Sequence, residues 1–153
     1  MPKSSLRAKV FWLVSRLAHT LYPYFPVFGT IRGSVAIIRR DNGFLVIERN
    51  DGYGLSFPGG IARFHEPPET TLRREVQEET GLTIADAQLK FDYLGSKPFR
   101  IHTYVFEVSS SGDIRASWEG TPIIVSFSEL RERVVAQQRP VVDYLISANQ
   151  KHS

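Results

Sequence analysis

Glu75, Glu78 and Glu79 stand at i, i+3 and i+4 in a stretch, Pro67 to Thr80, that reads as one helix. Prolines are tolerated in a helix's first turn, and Gly81 sits where a left-handed C-terminal cap belongs. On a helix the three glutamates share one face. Like charges at that spacing destabilise a helix by roughly 0.2–0.5 kcal/mol per pair. A fold accepts that cost readily if divalent cations sit between the carboxylates. Leu72 and Val76, four residues apart, lie on a different face and can anchor the helix to a sheet. Arg74 precedes Glu78 by four residues but can instead reach back to Glu66, which would tie the preceding loop to the helix.

The rest of the chain supplies strands for that sheet. Ser34–Arg40 and Phe44–Arg49 are rich in Val and Ile, and Asp41-Asn42-Gly43 between them is a hairpin signal. Leu55-Ser56-Phe57 is a short strand running into the sharp turn Pro58-Gly59-Gly60. Further strands are expected at Leu89–Leu94, Ile101–Val108 and Pro122–Phe127, with a polar loop at Ser109–Asp113. Ser128 is a candidate cap for a helix at Glu129–Val135, and Val141–Ala148 reads as the last helix. Strands and helices mix without strict alternation, so the class is α+β, with helices flanking a mixed sheet.

Residues 4–22 form a separate amphipathic pattern, with Leu6, Val10, Leu13, Val14, Leu17 and Leu21 at helical spacing and Pro23 and Pro26 after it. The expected organisation is an N-terminal helical extension over 1–28 and one domain over 29–153. Packing on the domain or on a partner subunit, as in a homodimer, is the expected role of the extension. Its basic, aromatic character also suits contact with a membrane surface. The apolar run Val10–Val14 is interrupted by Arg16 and His19, lacks a cleavage site, and is too short to span a bilayer.

Cysteine is absent, which excludes disulfides and thiolate metal sites and fits a cytoplasmic setting. Any metal must be held by oxygen or imidazole, which favours magnesium or manganese. The charge of +3, from 19 basic against 16 acidic side chains, is enough to attract an anionic small molecule. It is too small to argue for a stable nucleic-acid complex.

The segment from Gly60 to Leu82 resembles the Nudix box, G-x5-E-x7-R-E-U-x-E-E-x-G-U with U apolar. Gly60, Glu66, Arg74, Glu75, Glu78, Glu79 and Gly81 match its fixed positions, and Val76 and Leu82 its apolar ones. At average residue usage, seven fixed matches arise by chance on the order of 10⁻⁹ times per starting position, so coincidence is no competitor. The similarity extends more loosely over residues 30–148.

The resemblance implies a Nudix-type α/β/α sandwich and hydrolysis of a diphosphate linkage in a nucleoside diphosphate-linked substrate. ADP-ribose, a sugar nucleotide or a nucleoside triphosphate would qualify. The alternative is a catalytically silent Nudix module that binds a nucleotide or a regulatory partner. Carried over by position, Glu75, Glu78 and Glu79 would be metal ligands, joined by the Gly60 carbonyl, and Arg74 with Glu66 a positioning salt bridge. Glu78 or Glu79 would also serve in catalysis. Family members often add a downstream carboxylate as base or ligand. Glu119 is the candidate here, with Glu107 and Asp113 weaker ones. Gly59 would lie against substrate, and Phe99, Tyr53 or Tyr104 would stack on a base. Pro98 lies near an offset seen in ADP-ribose-cleaving members. Two positions depart from the common pattern. His65 stands where glycine often precedes the first glutamate, implying a less flexible loop, and Leu72 stands where a small residue is frequent.

Overall fold

The computed structural model describes residues 30–95 and 100–150. The amphipathic pattern at 4–22, and with it the N-terminal helical extension, lies outside the described residues, as do Pro98 and Phe99. Eleven elements follow in order: β1 (Ile31–Arg40), β2 (Gly43–Arg49), β3 (Leu55–Ser56), β4 (Gly59–Ile61), α1 (Pro68–Thr80), β5 (Thr83–Leu94), β6 (Ile101–Ser111), β7 (Gly120–Val125), α2 (Phe127–Arg133), a 3₁₀ turn (Ala136–Gln138) and α3 (Arg139–Gln150).

The sheet is mixed. β1 pairs in parallel with β6, while its partners β2 and β4, and the β2–β3, β2–β7 and β5–β6 pairs, are antiparallel. Since β6 runs along Ile31–Ile38, β2 and β4 must share the other edge of β1. β2 takes Ile38–Arg40 and β4 takes Gly33–Val35. Between them the Ala36 N–H donates to the Pro58 carbonyl at 2.8 Å, so the Pro58-Gly59 turn is inserted where the two partners diverge.

Alternation along β1 feeds two cores. Val35 and Ile37 face one side, where they meet Leu130, Val134, Val141, Val142 and Leu145 from the α2–α3 region. Ala36 and Ile38 face the other and meet Leu72 and Val76 of α1. This is the period-two geometry of a strand buried on both faces, and it makes the α+β, helix–sheet–helix sandwich. Leu72 and Val76 are fully buried, each worth about 1.5–3 kcal/mol.

Several boundaries differ from the sequence reading. β5 begins at Thr83 rather than Leu89, because register shifts between Ile84 and Asp86 and between Leu89 and Phe91 reset its in–out alternation and disguise its first half. β6 continues through Ser109–Ser111, which pair with β5 instead of forming a loop. The last strand stops at Val125, and α2 starts at Phe127. Its cap is Ser126 rather than Ser128, the Ser126 hydroxyl accepting from the Glu129 N–H. No helix among the described residues is long and apolar enough to cross a membrane.

Candidate functional site

The site grows from the strand–turn–helix Leu55–Gly81. Gly59 has φ 151°, and a side chain there would collide with the Ser34 carbonyl at 2.1 Å, so only glycine lets the turn lie on β1. Gly60 follows with its Cα against the Glu75 carboxylate, since a Cβ would come within 2.5–2.7 Å of those atoms. The helix is stopped by Gly81 (φ 76°), whose N–H bonds the Gln77 carbonyl.

The structure brings Arg74 and Glu66 together in a two-pronged ion pair, Nε to Oε1 at 2.9 Å and Nη2 to Oε2 at 2.8 Å. Both side chains are largely buried, at 16% and 10% exposure. Glu66 also accepts from the Thr71 hydroxyl and the Arg63 N–H, each at 2.9 Å. The Arg74 hydrogen bonds, with these, hold its carboxyl down at about 2. The remaining prong of Arg74, Nη1, reaches Glu75 Oε1 at 2.6 Å. Glu78 is half exposed and meets Arg63 and Arg74 more loosely, at 3.4 Å each.

Glu79 is different. It is buried (7% exposed) on the helix face that packs on the sheet. Its Oε2 accepts from the Gly59 N–H at 2.8 Å. Burial, then the Glu119 carboxylate pressing on it at hydrogen-bonding range, then Glu75, push its carboxyl up to about 8 against that single favourable bond. Burial also raises Glu75, against the pull of Arg74. Glu119, exposed just before β7, is held over the site through its backbone, its carbonyl accepting from the Asn50 N–H at 3.3 Å.

Other candidates separate clearly. Glu107 is paired with Arg39 (2.6 Å) and Lys90 (3.5 Å). Asp113 packs its backbone on Gly81. Tyr104 packs against the α1-side core and the His102 ring. Tyr53 is 79% exposed on the Asn50–Gly54 turn. His65 is exposed, meets the Phe64 ring edge-on with centroids 4.0 Å apart, and holds φ 58°. That left-handed backbone accounts for a glycine preference at this position.

Sequence reasoning missed Arg49, Tyr93, Gln137 and Gln138. Arg49 closes β2, is held by Asp51, and lies in the field of Glu119 and Glu79. A cation ending an apolar strand beside a turn was the available signal. Tyr93, Gln137 and Gln138 join Gly59 and Gly60 in lining a cleft of about 160 Å³, and no local pattern marks residues that meet only through the fold.

Among the described residues, no three acidic or histidine side chains already meet at metal-ligand spacing; Arg74 engages Glu75, and Arg63 and Arg74 engage Glu78. The donors nonetheless suit a hard divalent cation. They are all oxygen, Glu79 is buried and Glu75 half-buried with like charges beside each, and the bare Gly60 backbone lies against Glu75.

The NUDIX domain model matches residues 30–145. A MutT-like protein of Streptomyces ambofaciens is 32% identical over 99 residues, 64% of this chain and 64% of its own length, so the chain spans less than two thirds of that relative. An 8-oxo-dGTP diphosphatase of Haemophilus influenzae is 30% identical over 97 residues, 60% of this chain and 67% of its own. In fold, the chain is similar to the crystal structure of a MutT NUDIX hydrolase from Burkholderia pseudomallei, with TM-score 0.67, 22% identity, and coverage of 74% and 96%.

Proposed function

Because this chain belongs to the NUDIX domain family, we propose that it is a divalent-metal-dependent pyrophosphohydrolase that cleaves the diphosphate linkage of a nucleoside diphosphate-linked substrate. One observation carries the reading. A buried glutamate, Glu79, is crowded by Glu119 and Glu75 until it favours its proton, with a glycine turn beside it. Such repulsion is unfavourable in an inert core and useful where positive charge is to be received.

In this reading Glu75, Glu78, Glu79 and the Gly60 carbonyl hold magnesium or manganese. The ion supplies positive charge to the phosphate oxygens and acidity to a nearby water. The chain's own groups do the rest. The Glu66–Arg74 pair fixes the loop against the helix, so the carboxylates keep their positions. Arg49, held by Asp51, offers a guanidinium to a phosphate oxygen. Glu119, exposed beside Glu79, takes the proton from the attacking water. The cleft bounded by Gly59, Gly60 and the two glutamines receives the nucleoside, where amides read an uncharged base.

The H. influenzae relative makes nucleoside triphosphates, oxidised ones included, the first substrates to try. ADP-ribose and sugar nucleotides come next. The test is product release from such a panel with magnesium and with manganese, Glu79→Gln serving as the control. Turnover by the native chain that the variant loses supports the reading. Tight nucleotide binding without turnover under any divalent cation contradicts it.

A further inference from the structure

The first forty residues carry seven lysines and arginines and no acidic side chain, whereas the remaining 113 carry twelve basic against sixteen acidic ones. The small net charge of the chain therefore conceals a strongly basic N-terminal part. Thr30, the first described residue, marks where that part enters the domain, and it lines a groove of about 500 Å³. Ile31 and Arg32 of β1 form one wall of the groove, and residues 61–65 form the other.

This groove is apolar and cationic at once. Phe64 is 89% exposed, more than any other large apolar side chain among the described residues, and Ile61 is 53% exposed. Arg32 and Arg63 stand beside them, and the Arg63 side chain is 69% exposed even while it meets Glu78 at 3.4 Å. Arg100, exposed just before β6, adds a third cation near Ile31, since its neighbour Ile101 pairs with Ile31. No acidic side chain lines the groove. The two carboxylates that its loop meets, Glu66 and Glu78, are both paired with Arg74.

Charge decides what fits there. Residues 4–22 of the same chain would bring their apolar stripe, but their charged side chains, Arg7, Lys9 and Arg16, are all basic and leave the groove's arginines unanswered. A second copy of the groove has the same defect. A layer of anionic headgroups over hydrocarbon answers both components. Guanidiniums bond phosphate oxygens, and exposed aromatic and aliphatic side chains enter the boundary between headgroups and acyl chains. Residues 4–22 repeat that chemistry in sequence, with Phe11 and Trp12 beside the stripe from Leu6 to Leu21 and the three cations. The seven residues between Tyr22 and Thr30 span at most ~29 Å when extended, so stripe and groove can meet one surface together.

We propose that the groove at Phe64 and the apolar stripe of residues 4–22 form one basic face that seats the protein on an anionic phospholipid surface. Such attachment is peripheral and reversible, driven by charge and shallow insertion. It stands independently of the hydrolase reading.

The test is co-sedimentation of the full chain with vesicles of phosphatidylcholine alone and of phosphatidylcholine with about one third phosphatidylglycerol. Binding to the anionic vesicles is expected to be at least ~10-fold tighter at about 0.1 M salt and to fall back at about 0.5 M. Phe64→Asp, at a position exposed to solvent, should weaken it at least ~5-fold with little change in thermal midpoint. Arg7→Gln with Arg16→Gln should weaken it as well. Equal binding to both vesicles, or none, overturns the proposal, as does anionic binding that Phe64→Asp leaves untouched. If vesicles are not bound, a Phe64→Asp chain that melts several degrees lower would place residues 4–22 over the groove instead, and a dimer that the variant splits would place a second copy there.

Discussion

Glu66 and Glu79 lie thirteen residues apart, are both largely buried, and live under opposite electrostatics. Glu66 receives two prongs of Arg74, a hydroxyl and a backbone N–H, and its carboxyl sits at about 2. Glu79 receives one backbone N–H, faces Glu119 and Glu75, and sits at about 8. The first is a satisfied charge that holds a loop. The second is a carboxyl that burial and its acidic neighbours push towards its protonated form. Burial alone does not separate structure from chemistry in this segment; the supply of positive charge does.

The largest effect expected from breaking that contrast is on turnover. Glu79→Gln should lower kcat by at least ~100-fold, the loss of a metal ligand. The same change should raise the thermal midpoint of the metal-free protein at pH 9, where it removes a buried repelled charge. Next is Arg74→Ala. It leaves Glu66 without its cation and should cost about 2–3 kcal/mol in denaturant unfolding, below the range for fully buried pairs because both partners keep some exposure. An Arg74→Ala protein as stable as the parent would mean that the Glu66 end is not what fixes the loop.

The two glutamates also predict opposite responses to pH in the metal-free chain. Folded Glu79 keeps its proton up to about 8, whereas an ordinary glutamate loses it near 4.5. Its contribution is complete below pH 4.5 and is lost as pH rises towards 8. Folded Glu66 stays ionised down to about 2, so its contribution is present above 4.5 and is lost as pH falls towards 2. Thermal melts across pH should decline on both sides, with Glu66→Gln flattening the acid limb and Glu79→Gln the alkaline one. Binding of magnesium at pH 6.5 should then expel roughly one proton, and almost none at pH 9. Calorimetry in buffers of different ionisation enthalpy measures that number.

Much of this layout was legible in the chain itself. Glu75, Glu78 and Glu79 declare themselves by helical spacing, and Gly81 and the prolines bracket their helix. The hairpin at Asp41–Gly43 and the Pro58-Gly59-Gly60 turn were equally local signals. What stayed hidden depends on pairing at a distance. The first half of β5 is masked by its bulges. The packing of Gln137 and Gln138 beside Gly59 follows from bonds to Leu55, Phe57 and Tyr93 that no spacing encodes. Nor could spacing tell that Glu79 would be the buried member of the acidic face, because that depends on which side of α1 meets β1.

The smallest effect concerns the tied end. His65 holds φ 58°, and His65→Gly should relieve that strain while loosening the unfolded chain, for a net gain under about 1 kcal/mol. Chemical denaturation resolves it, and a loss of stability would show that the edge-on contact with Phe64 outweighs the backbone strain.

The most direct measurement is an anomalous difference map from a crystal soaked in manganese. A peak is expected beside Glu79, with Glu75, Glu78 or the Gly60 carbonyl within about 2.3 Å, and Glu75 released from Arg74. A map with no peak there, and Arg74 still bonded to Glu75, would contradict the assignment of this acidic face as a cation site.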